Sequence, residues 1–366
     1  MCGYKKRFLS NGIALFFMNV TTFLSSYAQN PLVQALNVPI SDQYFIFLAF
    51  PLVLLAVCCY LYFVKMDKKR VGMVLLTVFL ALVLSIALKG VYQEARPCSG
   101  SLVCDLNFGF PSSHAAATFA LAFALIGSEL FVVGLLFAIY ASVMRVLTTF
   151  HSLPQIAGGM ALAIVVYLVL KELMQGRLKG VKPAVGETSR KVMHFLFGAV
   201  FVSGFYFLDF EIAVLLSCFV LLLCVCVKHA LDSKFIHSKP LNFLERKGND
   251  FGKGAFAFGA ASLFCVLFAR PLNEGLAVVA IIAAGDAAST LVGRKYGKSK
   301  FSFNDKKSIQ GTVAFVIAAL VVSVLFLQLE KALIYVAILS VVETAPIPLD
   351  DNLSVGIAGV VLTLLA

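Results

Sequence analysis

Charge is what this sequence has least of. Of its 366 residues, 13% are Asp, Glu, Lys or Arg, while 60% are hydrophobic. So little charge cannot solvate that much apolar surface in a water-soluble fold, which leaves a chain that crosses a membrane many times. Negative charge is the scarcer sign: 19 acidic residues stand against 30 basic ones, a formal net charge of +11. No soluble basic domain carries that excess, so it gives no case for a nucleic-acid partner. The nine cysteines show no metal-ligand spacing, and those within apolar runs read as small packing residues. Internal repeats are absent. So is a Walker-type loop, which needs Gly-x4-Gly-Lys-Ser/Thr.

Apolar runs are abundant. Segments of span length, or slightly under it, lie near 9–28, 44–64, 71–88, 113–129, 131–149, 154–171, 192–208, 211–227, 254–269, 274–292, 309–328, 332–342 and 353–366. The expected fold is all-α, a polytopic transmembrane helix bundle of about 13 spans. Lys5-Lys6-Arg7 before the first run and Ser25-Ser26-Tyr27-Ala28 after it also suit a cleaved signal peptide. Asn19, Thr21 and Thr22 interrupt that run and favour a retained span.

With the N-terminus in the cytoplasm and the spans alternating, 25 of the 30 Lys and Arg fall on the inside. The five outside are Lys89, Arg96, Arg145, Arg270 and Lys331. Three of these share one depth with two histidines. Lys89 and Arg96 lie in KGVYQEARP at the outer end of the third span, Arg145 and His151 in MRVLTTFH at the outer end of the fifth, and His114 opens the fourth behind Pro111-Ser112-Ser113. An ionisable group at a membrane edge is costly unless it is used. Cations beside a helix N-terminus make an anion site, and two histidines add nucleophile and proton-donor chemistry.

These blocks, Lys89-x6-Arg96-Pro97, Pro111-Ser112-Ser113-His114 and Arg145-x5-His151, resemble the signature of the type 2 phosphatidic acid phosphatases (PAP2) over about residues 1–172. The resemblance implies a phosphatase that uses no metal, with a six-helix core. His151 would attack phosphorus and His114 would protonate the leaving oxygen. Lys89, Arg96 and Arg145 would hold the phosphoryl oxygens, with Ser112, Ser113 and the helix N-terminus assisting. Two positions depart from the pattern: Met144 replaces the Ser before Arg, and Gln155 replaces the Asp that would orient His151. His-x3-Gln and Gly109-Phe110-Pro111-Ser112-Ser113-His114 are similar to the dolichyl-diphosphatase branch, which implies a polyprenyl diphosphate substrate; a general phosphatidate-type lipid phosphatase is the alternative. Cys98 and Cys104 share the outer loop, where a disulfide or two free thiols are both open.

The polar stretch 173–189, LMQGRLKGVKPAVGETS, reads as a cytoplasmic linker. Beyond it the chemistry moves to the inner side, with GDAASTLVGRKYGKSK at 285–300, KKSIQGT at 306–312 and ETAPIPLDDN at 343–352. Asp286 near the end of an apolar helix suggests a cation site, the glycine-flanked basic loop suits phosphates, and acidic pairs beside basic loops suit a Mg²⁺–nucleotide. Arg190-Lys191-x2-His194, Gly285-Asp286-Ala287, Gly293-Arg294-x2-Gly297-Lys298, Lys307-Ser308-x-Gln310-Gly311-Thr312, Glu343 and Asp350-Asp351-Asn352 resemble the motif series of the dolichol, phytol and CTP-dependent diacylglycerol kinases over 190–366. Gln310 stands where that family has Glu.

The resemblance implies a seven-helix bundle that transfers phosphate from CTP, with Mg²⁺, to an isoprenoid alcohol. Asp286, Asp350 and Asp351 would face the metal. Arg294, Lys298, Lys307, Gly311 and Thr312 would meet the nucleotide, with Arg190, Lys191 and His194 at its mouth or at a lipid phosphate. His229 and His237 receive no role. A CTP-dependent cytidylyltransferase, a diacylglycerol or phytol kinase, and a transporter with relic motifs are the competing readings. Fusion of an outward-facing diphosphatase to an inward-facing kinase makes sense as recycling of an isoprenoid lipid carrier, since both reactions yield the monophosphate.

Overall fold

The computed structural model describes residues 50–98, 108–175, 187–232 and 253–365. The first expected span, the signal-peptide site, Cys104, His237 and most of the expected linker lie outside the described residues. Cys98 is disulfide-bonded. The chain divides into two compact units, Met1–Ala163 and Ile164–Ala366.

In the first unit, α1 (Phe50–Cys59) runs into a π-helical turn, Tyr60–Val64. Then follow α2 (Lys68–Tyr92), α3 (Ser113–Ala124), α4 (Phe131–Leu147) and the start of α5 (Leu153–Gln175). Asp67 starts α2 by accepting the Arg70 N–H at 3.0 Å. α3 is the buried centre, packed on α2 and α4. Its sequence, SHAAATFALAFA, is rich in alanine, which favours helix and lets neighbouring backbones come close. The apolar run 113–129 stops being helical at Ala124, because Gly127 turns the chain at φ 81°. At the end of the unit where α1 finishes, Glu129 accepts from Lys65 at 2.7 Å and from the Tyr60 hydroxyl. The C-terminal ends of α2 and α4 and the N-terminal ends of α3 and α5 gather at the opposite end.

The second unit holds α6 (Glu187–Phe207), α7 (Phe210–Asp232), α8 (Lys253–Phe268), α9 (Leu272–Tyr296), α10 (Ile309–Ser323), α11 (Leu329–Thr344) and α12 (Asp351–Leu365). α9 is the central post and packs on α6, α8, α10 and α12. α7 turns Leu215, Phe219, Val220 and Leu223 outward, an apolar exterior suited to lipid rather than water. Among the described residues, four helices, Lys68–Tyr92, Leu153–Met174, Phe210–Ala230 and Leu272–Tyr296, are long and apolar enough to cross a membrane, and six further apolar helices are shorter.

One element departs from the all-α expectation. Between α9 and α10 the chain forms an antiparallel hairpin, β1 (Lys300–Phe301) and β2 (Asn304–Ser308). Gly297 ends α9, and Ser308 starts α10 by accepting the Gly311 N–H at 3.2 Å. The polar residues between those two signals have no apolar face to offer a helix, so they pair with each other.

Two of the five outside cations prove to be structural. Arg270 donates to the carbonyls of Leu267 and Ala269 at 2.7 and 3.2 Å and so caps the end of α8. Lys331 neutralises the buried Glu274 at 2.6 Å, whose other oxygen accepts the Tyr335 hydroxyl at 2.5 Å. The other three, Lys89, Arg96 and Arg145, lie at the opposite kind of place, around a histidine.

Candidate functional site

The first cluster sits where α2, α3, α4 and α5 end together. Arg145, in the last turn of α4, is fully buried and lies 4.3 Å from the Phe150 ring centre. The chain then reverses through Thr149 at φ 59°, a conformation a β-branched residue rarely adopts, and the His151 N–H returns to the Arg145 carbonyl at 3.1 Å. This strained turn sets the nucleophile candidate beside the cation. Lys89 closes α2 and donates to the Phe108 carbonyl at 2.6 Å; Arg96 is 6% exposed. His114 is buried in the first turn of α3.

Burial lowers the pKa of His151 well below the ordinary histidine value, and the charges of Arg145, Lys89 and Arg96, with His114, lower it further. Four of the expected residues, Lys89, Arg96, His114 and Arg145, thus act on the fifth, His151. The ring is neutral, the form a nucleophile needs.

Ser112 is occupied differently from Ser113. Ser112 is fully buried, its hydroxyl faces the Ala115 N–H at 3.5 Å as the cap of α3, and its N–H donates to the Gln155 carbonyl at 2.9 Å. Ser113 Oγ accepts from Ser85 at 3.0 Å. Gln155 Oε1 lies 3.1 Å from His151 Nδ1. Two glycines permit the approach. A Cβ on Gly159 would stand 2.4 Å from the Ser112 carbonyl oxygen, and one on Gly109 would stand 2.3 Å from Gln155 Nε2.

The second cluster gathers the N-terminal ends of α6 and α12, the C-terminal end of α11, the middle of α9 and the hairpin. Asp286 is buried on α9 and paired with Lys191 of α6; His194 Nε2 lies 3.7 Å from the same carboxylate oxygen and its ring packs on Phe258. Lys307, at the end of β2, reaches Glu343 Oε1 at 2.5 Å and Asp351 Oδ2 at 2.8 Å. Ser289 donates to Glu343 at 3.3 Å, and Asn304 Nδ2 donates to the Thr344 carbonyl at 2.8 Å. The hairpin is thus fastened to α11 and α12. Burial works against the Lys307 ammonium, but Asp351 and Glu343 outweigh it and hold its pKa above the ordinary lysine value.

Asp350 serves as a cap, accepting the Asn352 N–H at 3.0 Å. Burial, then the Asp351 and Glu172 carboxylates, push its pKa up to about 7. Gly311 is buried behind Ser308. Gln310 exchanges hydrogen bonds with Ser299, donating at 3.5 Å and accepting at 3.3 Å, and so braces the basic loop. Arg294 and Lys298 stand exposed beside that loop, and Arg190 is half-buried at the start of α6. The buried oxygens Thr312 Oγ1 and Glu343 Oε2 have no hydrogen-bond partner. Among the described residues, no three His, Cys, Asp or Glu side chains converge as ready metal ligands.

Sequence reasoning quoted Glu343 only as part of a motif and passed over Glu94 and Ser289. Glu94 carried a usable signal, a lone acid inside the cationic block Lys89–Arg96.

No family model matches the chain. It is 27% identical over 195 residues to a probable chloroplastic phytol kinase of Zea mays, across 46% of this chain and 63% of that protein. To probable phytol kinase 1 of Oryza sativa it is 28% identical over 196 residues, 46% of this chain and 61% of that protein. To phytol kinase 1 of Arabidopsis thaliana it is 32% identical over 132 residues, 31% of this chain and 43% of that protein. The match thus spans between 43% and 63% of the length of these relatives. No solved structure matches it.

Proposed function

We propose that the chain is a membrane-bound lipid kinase that transfers phosphate from CTP to an isoprenoid alcohol, phytol or a polyprenol. The observation that carries this is Lys307, held between Glu343 and Asp351 and acting on the charge of Asp286, where the ends of α6, α11 and α12 meet the middle of α9 and a basic hairpin. The likeness to phytol kinases supports a transferase that takes a nucleotide donor and a lipid alcohol.

The residues suit a divalent cation. The Lys307 ammonium stands between two carboxylates as a cation would, and Glu343 Oε2 is buried without a partner. Asp286, Asp351 and Glu343 do not converge as a preformed site; they would hold Mg²⁺ once Lys191 and Lys307 release them, and the ion would neutralise charge on the transferring phosphoryl group. Lys307, Arg294 and Lys298 supply positive charge for the triphosphate, and Thr312 offers a hydroxyl. The alcohol oxygen attacks the γ-phosphorus as the bond to the β–γ bridging oxygen breaks, and the alcohol proton leaves to water. CDP and the lipid monophosphate leave.

The gathering of Lys89, Arg96, His114, Arg145 and His151 favours a second activity, a lipid diphosphatase of the PAP2 type in the first unit. His151 Nε2 attacks the terminal phosphorus, the bond to the lipid monophosphate oxygen breaks, and His114 protonates that oxygen. Water then cleaves the phosphohistidine and releases phosphate. The cation bias puts this centre on the outer side and the kinase centre in the cytoplasm. Both reactions make the same lipid monophosphate, as carrier recycling requires.

Transfer of label from CTP to polyprenol or phytol by the His151→Ala protein tests the kinase, with the γ- and α-phosphates labelled separately. Label in the lipid only from the γ position is expected. Label from the α position would make this half a cytidylyltransferase.

A further inference from the structure

Four residues after His151, where an acid would put negative charge on the ring, stands the neutral Gln155. A carboxylate lies one amide further on. Gln155 Nε2 donates to Glu94 Oε1 at 3.0 Å and to the Ala95 carbonyl at 2.9 Å. Gln155 Oε1 accepts the Ser152 N–H at 3.3 Å and faces His151 Nδ1 at 3.1 Å. A carbonyl can only accept and a backbone N–H can only donate, so the amide has one orientation. Facing Oε1, His151 Nδ1 must carry the proton. The ring's lone pair is then on Nε2, the atom that attacks.

We propose that Glu94 is a positioning residue of the phosphatase centre and acts on His151 through the Gln155 amide. The proposal rests on the phosphatase reading of this unit. Glu94 is itself anchored, since its carbonyl accepts the Gly109 N–H at 2.7 Å. Gly109 in turn lacks the Cβ that would strike Gln155. Glu94, Gly109 and Gln155 are thus connected, and Lys89 joins them through the Phe108 carbonyl.

The physical case concerns charge. The groups acting on the His151 ring are cations, Arg145 of α4, Lys89 of α2 and Arg96, together with His114 of α3. They suit a phosphate but oppose the positive charge that the ring gains when Nε2 bonds to phosphorus. As that bond forms and the bond to the leaving oxygen breaks, Nδ1–H becomes a stronger donor to Gln155 Oε1. The amide N–H then becomes a stronger donor to Glu94, because hydrogen bonds in a chain polarise one another. No proton moves along the line; the leaving oxygen takes its proton from His114.

Hydrolysis of labelled polyprenyl diphosphate by the full chain in proteoliposomes tests this with three variants. Glu94→Gln keeps an acceptor for the amide but removes the charge. We expect kcat to fall about tenfold with KM nearly constant, since a unit charge several ångströms away at an intermediate dielectric is worth that order. The acid limb of kcat/KM should move to lower pH, because the protonated ring loses a nearby anion. Gln155→Glu alone crowds two carboxylates together and should also be slow. The double variant, Glu94→Gln with Gln155→Glu, reverses the hydrogen bond between positions 94 and 155, keeps the one from His151 Nδ1, gives up the one to the Ala95 carbonyl, and restores an anion beside the ring. It should recover kcat to near the parent value, with an acid limb above that of Glu94→Gln.

An unchanged rate and pH profile in Glu94→Gln would overturn the proposal. So would a double variant no faster than Glu94→Gln while its CTP-dependent transfer remains intact, since Glu94 would then matter only for shape. If the parent chain hydrolyses no more than His151→Ala does, the phosphatase reading itself falls, an outcome separable from either of the others.

Discussion

Lys307 Nζ lies 2.5 Å from Glu343 Oε1 and ties the end of the hairpin to the last turn of α11. Lys307→Met leaves the carboxylate of Glu343, itself 2% exposed, without its counter-ion. Breaking a buried pair from one side costs about 3–5 kcal/mol, so a drop in the thermal midpoint in detergent is expected together with loss of transfer from CTP. Adding Glu343→Gln should return most of the stability and none of the transfer. Recovery of transfer in the double variant would remove Lys307 from the phosphate-binding set.

The acid limb of the phosphatase reports His151. A group whose pKa is lowered stays neutral to lower pH, so the nucleophile should persist below the usual histidine range. The kcat/KM profile for polyprenyl diphosphate should hold its plateau down through about pH 6.5, the pKa of an unperturbed histidine. A limb at or above that value would mean that the cations around the ring are displaced in the working enzyme.

Chelation separates the two activities. EDTA should abolish label transfer from CTP and leave hydrolysis of the diphosphate unchanged, and Mg²⁺ should restore the transfer. Hydrolysis that vanishes with EDTA would count against the histidine mechanism.

Gly159→Ala tests the contact beneath the first cluster. The new methyl would stand 2.4 Å from the Ser112 carbonyl oxygen, so the N-terminus of α3 must shift. Overpacking of this kind costs about 1–3 kcal/mol. Diphosphate hydrolysis should fall at least about tenfold, as misplacing a bound geometry does, while CTP-dependent transfer is retained.

Much of both clusters was legible because each motif sits at the end of an apolar run. Helix ends alternate sides, so Lys89, His114 and Arg145 had to share a level once the runs were counted. The same logic placed Asp286, Lys307 and Asp351 together. What periodicity could not show was pairing. The lysines expected to meet nucleotide, Lys191 and Lys307, hold carboxylates instead. The hairpin was hidden because a strand of five residues between two helices leaves no hydrophobic period. Glu94 stood out as a lone acid in a cationic block, but its pairing was hidden, because Gln155 lies 61 positions away and looks like a loss of charge. Arg270 and Lys331, which the side bias marked as unusual, answer to a helix end and a buried acid.

The lysine pairings also bear on what happens between turnovers. Asp286 and the Glu343–Asp351 pair each have an internal counter-ion, so neither leaves bare negative charge in a poorly polarisable setting. On the proposed kinase reading, arrival of a metal–nucleotide would be an exchange of partners: the cation would take the carboxylates from Lys191 and Lys307, and the freed ammonium groups would turn to phosphate.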